Sequence, residues 1–304
     1  MHGFLSGTTE TGGPAAPTNP RPITAAARLG AVQLTVRDLE RLREFYERAL
    51  GLRATDRADG SLALSGEDGR TLVELHGDSA APVRNIRHPG LFHQAILFPT
   101  RRDLALALAR LAAVRWPLDG ASDHLVSEAL YLSDPEGNGI ELYRDRPREQ
   151  WPHREGELQM ATLPLDLDDL LGELTSGDTL PELVPPGTAI GHVHLQVSEL
   201  RAAAAFFQGA LGFEVTVGDL PGALFLSAGG YHPHIGANTW NSAGNPPPPA
   251  GAAGLRAYEI VLPEDAEVER ALASAVTAGI TLEHDDHGAL VRDPAGIAVR
   301  LRSG

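Results

Sequence analysis

The chain has 304 residues, which is enough for two domains or for one internally repeated domain. Its formal net charge of −15 argues against nucleic acid as a partner, because a phosphate backbone is bound by a basic surface. The sequence contains no cysteine and no lysine, which excludes disulfides, thiolate nucleophiles, cysteine metal sites and lysine Schiff bases. The 12 histidines, the carboxylates and a bound metal are therefore the candidates for chemistry.

The N-terminal stretch is rich in Gly, Pro and Thr and shows no basic region followed by an apolar core, so no signal peptide is predicted. No apolar run approaches the roughly 18 residues that are needed to cross a membrane. We therefore expect a cytoplasmic protein without a membrane partner. Residues 1–27 are predicted to form a flexible tail.

A repeat begins after this tail. The stretch GAVQLTVRDLERLREFYERALGL starts at Gly30, and GHVHLQVSELRAAAAFFQGALGF starts at Gly191, 161 residues later and without gaps. Each copy alternates apolar residues at the period of a strand and then changes to the period of a helix. Gly51 and Gly212 follow the two helices, where a left-handed cap is favoured.

A second, more divergent pair follows. GLFHQAILFP starts at Gly90 and GLRAYEIVLP starts at Gly254, and each precedes an Ala/Leu-rich stretch that predicts a helix, near 102–113 and 266–278. Both copies then reach an Asp-Pro-x-Gly sequence, which is typical of a type I turn, and a final strand.

These repeats predict an α+β protein of four βαβββ modules, at about 28–77, 88–145, 189–242 and 252–304. In chain order this gives a first domain over 28–145, a linker over 146–188 with a short helix near 165–174, and a second domain over 189–304. The run Pro246–Pro249 is predicted to be a surface loop.

The sequence resembles the vicinal oxygen chelate superfamily (glyoxalase, bleomycin resistance and extradiol dioxygenase proteins), and within it the two-domain proteins of the catechol 2,3-dioxygenase type. The resemblance covers residues 28–304 and is carried by GLFHQAIL, SEALYLSDPEGNGIELY, IGHVHLQVSEL and SAGGYHPHIGANTW. It implies that the modules pair into two half-barrel cups and that one cup holds a metal.

The resemblance also implies where the metal ligands lie. In the first strand of modules one and three, the ligand stands seven residues before the acidic residue that opens the helix. That position is His192 in module three, before Glu199, but Ala31 in module one, before Asp38. His194 is the alternative to His192, since both residues lie on one strand face, and the register favours His192.

Modules two and four differ in the same way. The first strand offers His93 in module two and Ala257 in module four, and the last strand offers Glu141 and Arg300, respectively. The complete ligand set implied by the family is therefore His93, Glu141 and His192. Two imidazoles and one carboxylate are the preferred set of non-haem Fe(II) oxygenases, and Mn(II) has overlapping preferences.

The three ligands constrain how the modules pair. If adjacent modules paired, His93 and Glu141 would lie in one cup and His192 in the other. Pairing module two with three, and one with four, assembles the full set, so we predict this crossed arrangement, with a subunit-swapped version as the second choice. The assembly state, including a homo-oligomer, is left open.

Further catalytic residues are implied by the resemblance. Tyr131 stands ten residues before Glu141 and His124 lies seven residues further upstream, as in extradiol dioxygenases. The family's acid–base histidine corresponds to His232 or His234, although another alignment places it at Pro233. The residues expected to form pocket walls, with plain packing as the alternative, are Asn238, Trp240 and Tyr143.

The predicted function is that of an extradiol ring-cleaving dioxygenase acting on a catechol-type aromatic and O2. One alternative is a glyoxalase-like isomerase or lyase with Ni or Zn, which normally needs a second last-strand carboxylate, and His232–Ser242 contains none. A thiol-transferring resistance enzyme is usually a shorter chain with Lys and Arg around its substrate. A metal-free, bleomycin-resistance-like binding protein would not keep the ligand triad.

Overall fold

A computed structural model describes residues 21–218, 220–285 and 288–304. Module one contains β1 (Arg28–Val36), α1 (Leu39–Arg48), β2 (Arg53–Asp56), β3 (Leu62–Ser65) and β4 (Thr71–Gly77). Module two contains β5 (Gly90–Leu97), α2 (Arg101–Val114), β6 (Gly120–Asp123), β7 (Ser127–Ser133) and β8 (Gly139–Asp145).

The segment between modules two and three contains β9 (His153–Arg154), β10 (Glu157–Leu158), β11 (Leu163–Pro164) and α3 (Leu167–Leu171). Module three contains β12 (Ala189–Gln196), α4 (Leu200–Ala204), a π-helical turn (Ala205–Ala210), β13 (Glu214–Val217), β14 (Ala223–Ser227) and β15 (Ile235–Asn238). Module four contains β16 (Gly254–Leu262), α5 (Asp265–Thr277), β17 (Leu282–Asp285), β18 (Gly288–Arg292) and β19 (Ala298–Ser303).

The strands form two large curled sheets, each made from two modules. One sheet has the order β17-β18-β19-β16-β1-β4-β3-β2, and the other has the order β11-β6-β7-β8-β5-β12-β15-β14-β13. Module one therefore pairs with module four, and module two pairs with module three. We call these the one–four cup and the two–three cup. The four-module α+β fold predicted from the repeats is confirmed.

Local sequence explains where the helices and turns fall. In module two, the Thr100 hydroxyl accepts from the backbone N–H of Asp103, and the Asp103 carboxylate accepts from the backbone N–H of Thr100, which is a capping box. The two Asp-Pro-x-Gly sequences form hydrogen-bonded turns, with Gly137 N to Asp134 O at 2.9 Å and Gly296 N to Asp293 O at 2.9 Å.

The segment predicted as a flexible tail requires a correction over its described part. Ile23 is only 4% exposed, and its backbone N–H donates to Gly212 O at 2.9 Å. An apolar side chain that is buried against module three stabilises residues 21–27 there. Residues 1–20 of the predicted tail lie outside the described residues. The linker helix is also shorter than predicted, with Asp166 as its N-cap.

Within the described ranges, no helix is both long and apolar enough to cross a membrane.

Candidate active site

The two central strands of the two–three cup carry the predicted histidine ligands. Strands β5 and β12 are antiparallel neighbours, with His194 opposite His93 and His192 opposite Ala95. The register shifts on both sides of this pair, so that Phe92 in β5 and Gly191 in β12 are each an extra residue. Strand β8 runs parallel to β5 and brings Glu141 beside Ala95. The crossed pairing of modules is what brings the three side chains to one point.

These three side chains lie close together. Glu141 Oε2 is 3.0 Å from His93 Nε2 and 3.1 Å from His192 Nε2, and the two imidazole centroids are 5.5 Å apart. One ligand atom from each residue lies within 4.8 Å of the others, and the residues are 7%, 3% and 7% exposed, in the order His93, Glu141, His192. Ligand atoms at about 2.0–2.3 Å from one ion have separations of this size. The donor set therefore fits a divalent metal.

Electrostatics favour the protonation states that bind a metal. Burial alone would raise the pKa of Glu141, but the two imidazoles hold that pKa well below its ordinary value. Burial lowers the pKa of His93, against the opposing effect of Glu141. A carboxylate with a neutral imidazole is the form in which these groups act as ligands.

Glycine residues allow close approach around the triad. A Cβ at Gly191 would lie 1.7 Å from the Tyr143 hydroxyl, and a Cβ at Gly139 would lie 2.1 Å from Phe92 O. Both positions therefore exclude any larger residue unless a neighbour shifts. Gly191 thus fixes the distance between β12 and the Tyr143 ring, which packs 5.0 Å from the His192 ring.

The position in module three that is equivalent to Glu141, where a fourth protein ligand would stand, is a glycine. Glu141 pairs with Ala95 across β8 and β5, and the corresponding pair in module three is Gly236 with His194. Gly236 has no side chain, and a Cβ there would lie 2.9 Å from Cγ of His194. His194 Nε2 is held by the Asn238 amide, which donates to it at 3.0 Å. The Nε2 atom of His194 is therefore bonded to Asn238 and not to a residue of the triad.

Tyr131 and His124 form a hydrogen-bonded pair beside the triad. His124 Nδ1 lies 2.7 Å from Ala161 O, and a carbonyl only accepts, so Nδ1 is the donor. In the neutral ring Nε2 is then an acceptor, and the Tyr131 hydroxyl donates to it at 2.7 Å. Burial, with the Glu141 carboxylate, raises the pKa of Tyr131 well above its ordinary value, so the phenol stays protonated.

The triad opens into a cavity of about 460 Å³. Besides the triad, its wall includes Tyr131, His124, His194 and His232, together with Phe92, Phe225, Trp240, Val217 and Leu220. Met160, Ala161 and Thr162, from the segment between modules two and three, cover another side. The volume is that of a typical small-molecule site, mostly apolar with a few convergent polar groups.

The structure separates the two candidates for the acid–base histidine. His232 lines the cavity, whereas His234 is not among the lining residues. The His234 ring contacts the backbone instead, since its Nδ1 accepts a hydrogen bond from the N–H of Ala228 at 3.1 Å. Burial lowers the pKa of His234 to about 4. His234 is thus a neutral buried residue behind the cavity wall.

The predicted wall residues are also divided. Trp240 lines the cavity, but Asn238 and Tyr143 are completely buried behind it, so the expectation that they form its walls is corrected. Asn238 orients the wall instead, because its Oδ1 accepts from the backbone N–H of Trp240 at 3.2 Å and its amide holds His194. Tyr143 supports the ring of His192.

Sequence reasoning missed Asp145. Its carboxylate accepts from His232 Nε2 at 2.7 Å and from the Tyr231 hydroxyl at 2.9 Å. A signal for it was present, because Glu141, Tyr143 and Asp145 alternate along β8 and so share one face.

Comparison with known proteins agrees with this architecture. The family model described as Glyoxalase/Bleomycin resistance protein/Dioxygenase superfamily matches residues 28–142 and 189–301. The chain belongs to this superfamily. It is also 43% identical over 272 residues to a Bacillus subtilis (strain 168) protein named catechol-2,3-dioxygenase, covering 88% of this chain and 93% of that protein.

Solved structures share the fold at low identity. A Bacillus subtilis protein described as a candidate dioxygenase has a TM-score of 0.61 at 15% identity, covering 93% of this chain and 86% of that one. Glyoxalase I from Zea mays has a TM-score of 0.53 at 16% identity, covering 91% and 92%, respectively. Because both identities are low, these structures support the vicinal oxygen chelate fold alone.

Proposed function

We propose that this superfamily member is an extradiol ring-cleaving dioxygenase that acts on a catechol-type aromatic and O2, with His93, Glu141 and His192 as ligands of Fe(II). The observation that carries the proposal is the convergence of two buried imidazoles on one buried carboxylate oxygen, at 3.0 and 3.1 Å, at the floor of an apolar cavity. The 43% identity to a catechol-2,3-dioxygenase supports an enzyme of the dioxygenase type.

The donor set suits this chemistry. His93, Glu141 and His192 would hold a divalent iron ion, which would supply Lewis acidity to the catechol hydroxyls and redox chemistry for O2. The three side chains carry one negative charge in total, which leaves a bound divalent ion with net positive charge. That charge favours an ionised catechol in a buried site.

The other residues of the cavity would bind the substrate and handle its protons. Phe92, Phe225 and Trp240 offer apolar faces to an aromatic ring. Tyr131 keeps its proton and donates it in a hydrogen bond to His124, so its oxygen is a hydrogen-bond acceptor at a fixed place near the triad. His232, on the cavity wall, would accept a proton from a substrate hydroxyl and return it later in the reaction.

The isomerase alternative is less favoured because module three lacks a carboxylate at the last-strand position that is equivalent to Glu141. A second last-strand carboxylate would have to stand at Gly236, and the His194 ring occupies the space above that backbone. The triad alone would still bind Ni or Zn, so the metal dependence of activity discriminates between the two functions.

Anaerobic purification, elemental analysis and loading with fresh Fe(II), followed by oxygen uptake with a panel of catechols, tests the proposal. We expect one bound iron per chain, consumption of O2 and a yellow semialdehyde-type product. Loading with Mn(II), Ni(II) or Zn(II) in parallel identifies the metal that supports turnover. Full iron loading without oxygen uptake on any catechol would contradict the dioxygenase assignment, and isomerase activity with Ni(II) or Zn(II) would replace it.

A further inference from the structure

Asp145 lies at the end of β8, four residues after Glu141, and its two carboxylate oxygens have different partners. Oδ1 accepts from His232 Nε2 at 2.7 Å, and Oδ2 accepts from the Tyr231 hydroxyl at 2.9 Å. The Asp145 side chain keeps 23% of its surface exposed, whereas the His232 side chain keeps 2%. The pair therefore connects a partly solvated carboxylate to a histidine on the cavity wall.

The hydrogen positions in this network follow from its chemistry. An ionised carboxylate only accepts, so His232 must carry a proton on Nε2, and Tyr231 must donate to Asp145. The Tyr231 oxygen then accepts from the Tyr143 hydroxyl, which lies 2.7 Å away. The two hydroxyls therefore donate in sequence, Tyr143 to Tyr231 and Tyr231 to Asp145, and every donor of this network has an acceptor.

The same geometry defines the free nitrogen of His232. With Nε2 as the donor, Nδ1 of the neutral ring is a lone-pair acceptor. Among the residues that the structure describes, Nδ1 forms no hydrogen bond. It keeps some accessible surface, because it is not one of the fully buried polar atoms that lack a partner. The ring is held at its edges by Trp151 and Tyr143, with centroid distances of 4.7 and 6.5 Å. These contacts limit its rotation.

We propose that Asp145 is a positioning residue that holds His232 in the Nε2-protonated tautomer, so that Nδ1 faces the cavity as the proton acceptor for a substrate hydroxyl. This inference rests on the proposed function of the same site. The proton of the substrate O–H moves to Nδ1, the O–H bond breaks, and its electron pair stays on the substrate oxygen. The resulting imidazolium is then stabilised by the Asp145 carboxylate, as in other carboxylate–histidine pairs.

Kinetics of Asp145→Asn in the Fe(II)-loaded protein tests the inference. We expect kcat to fall by at least about 10²-fold, because the neutral amide no longer stabilises the imidazolium. The value of KM and the iron content should stay near those of the unmodified protein, since Asp145 contacts neither the triad nor the cavity interior. Asp145→Glu should recover part of kcat, which a purely structural role does not predict.

The matched control is Asp178→Asn. The Asp178 side chain is 19% exposed and forms an ion pair with Arg102, but it does not line the cavity, and no contact with His232 is found among the described residues. Its turnover should be unchanged. In addition, Asp145→Asn should cost little further activity in a His232→Gln background, because the two residues act as one unit. Full turnover in Asp145→Asn, or equal losses with and without His232, would overturn the inference.

A second measurement does not depend on activity. In the diamagnetic Zn(II)-loaded protein, the nitrogen-15 shifts of the histidine rings report the tautomer, and the His232→Gln spectrum assigns the His232 signals. We expect a protonated Nε2 in the unmodified protein and a mixture of tautomers in Asp145→Asn. Identical His232 shifts in the two proteins would contradict the role of Asp145. Absence of dioxygenase activity in the unmodified protein would instead contradict the proposed function and leave this measurement to decide the tautomer.

Discussion

The two cups have the same topology but different residues at equivalent positions. The first-strand positions are His93 and His192 in the two–three cup and Ala257 and Ala31 in the one–four cup. On the last strand, Glu141 corresponds to Arg300. Tyr131 lies opposite Glu141 in one sheet and Leu290 lies opposite Arg300 in the other, so Tyr131 corresponds to Leu290. The cup fold therefore does not require these three side chains.

The one–four cup neutralises its own charges. Arg300 is 4% exposed and forms a bidentate ion pair with Asp285, at 2.7 and 2.6 Å. Glu74, the buried carboxylate on β4, pairs with Arg57 at 2.5 Å and with His76 at 2.8 Å. A buried charge that has a protein partner needs no metal. In the two–three cup, by contrast, both of the ion-pair partners of Glu141 are imidazoles, and among the described residues no arginine pairs with it.

The largest expected difference between the cups follows removal of their buried carboxylates. Glu141→Ala should reduce the metal content and the turnover to background, because two imidazoles alone hold the ion poorly. The matched control is Glu74→Ala, since both carboxylates are 3% exposed and lie on last strands. It should keep full metal content and turnover. Elemental analysis and oxygen uptake measure both variants, and stoichiometric metal in Glu141→Ala would mean that the ligands are misassigned.

Loss of the phenol beside the triad should have a smaller effect. Tyr131→Phe removes a hydrogen bond of 2.7 Å to His124 but no metal ligand, so we expect intact iron content and turnover reduced by about 10²- to 10⁴-fold. Tyr258→Phe in the one–four cup is the control, with turnover unchanged. Steady-state kinetics on Fe(II)-loaded samples checks the pair, and a fully active Tyr131→Phe would argue against the dioxygenase mechanism.

The turns that close modules two and four differ at the residue that follows the glycine. The Asn138 amide donates to Asp134 Oδ2 at 2.8 Å, whereas Ile297 stands at the equivalent place and, among the described residues, Asp293 Oδ2 is buried without a hydrogen-bond partner. Burial raises the pKa of Asp293 to about 7, against the lowering effect of three backbone N–H groups. The pKa of Asp134 is also raised by burial, with the Asn138 amide opposing the shift.

The raised pKa of Asp293 predicts a pH dependence of stability. The folded state binds this proton more tightly than the unfolded state, so the contribution is full below pH about 4 and is lost as the pH rises towards about 7. The loss has an upper limit of about 4 kcal/mol, from 1.36 kcal/mol per pKa unit. Asp293→Asn should flatten this part of the curve in urea unfolding between pH 4.5 and 7.5. Parallel curves for the variant and the unmodified protein would show that the pKa of Asp293 is not raised.

Two buried tyrosines of the one–four cup, of which Tyr46 contacts the two–three cup through Gln94, give the smallest contrast. The Tyr46 hydroxyl accepts from the Gln94 amide at 2.8 Å, whereas the Tyr258 hydroxyl is buried and unpartnered in the described part of the chain. Tyr46→Phe should lower the free energy of unfolding by about 1–3 kcal/mol, because it leaves a buried amide unsatisfied. Tyr258→Phe should leave it unchanged or raise it by up to about 1 kcal/mol. Equal losses in both variants would contradict this difference.

Much of the candidate site could be predicted from the sequence, through the family resemblance and the register of the repeats. The resemblance implied His93, Glu141 and His192 as the ligands, the offsets between modules placed Ala or Arg at the equivalent positions, and the structure brings the three predicted side chains together. The resemblance likewise implied Tyr131 and His124 as residues of the site, and the structure joins them by a hydrogen bond. Positions along one strand are fixed by local periodicity, so sequence alone is sufficient to relate them.

Contacts between modules were decided by the tertiary structure. His232 and His234 are equivalent by strand periodicity, and only the packing around the turn directs one ring to the cavity and the other to Ala228. Asp145 acquires its role from the His232 ring, 87 residues away in the chain. Residues 21–27 lie against module three, where Ile23 is buried and its backbone N–H donates to Gly212 O. Such long-range contacts depend on how sheets associate, and local residue patterns do not encode them.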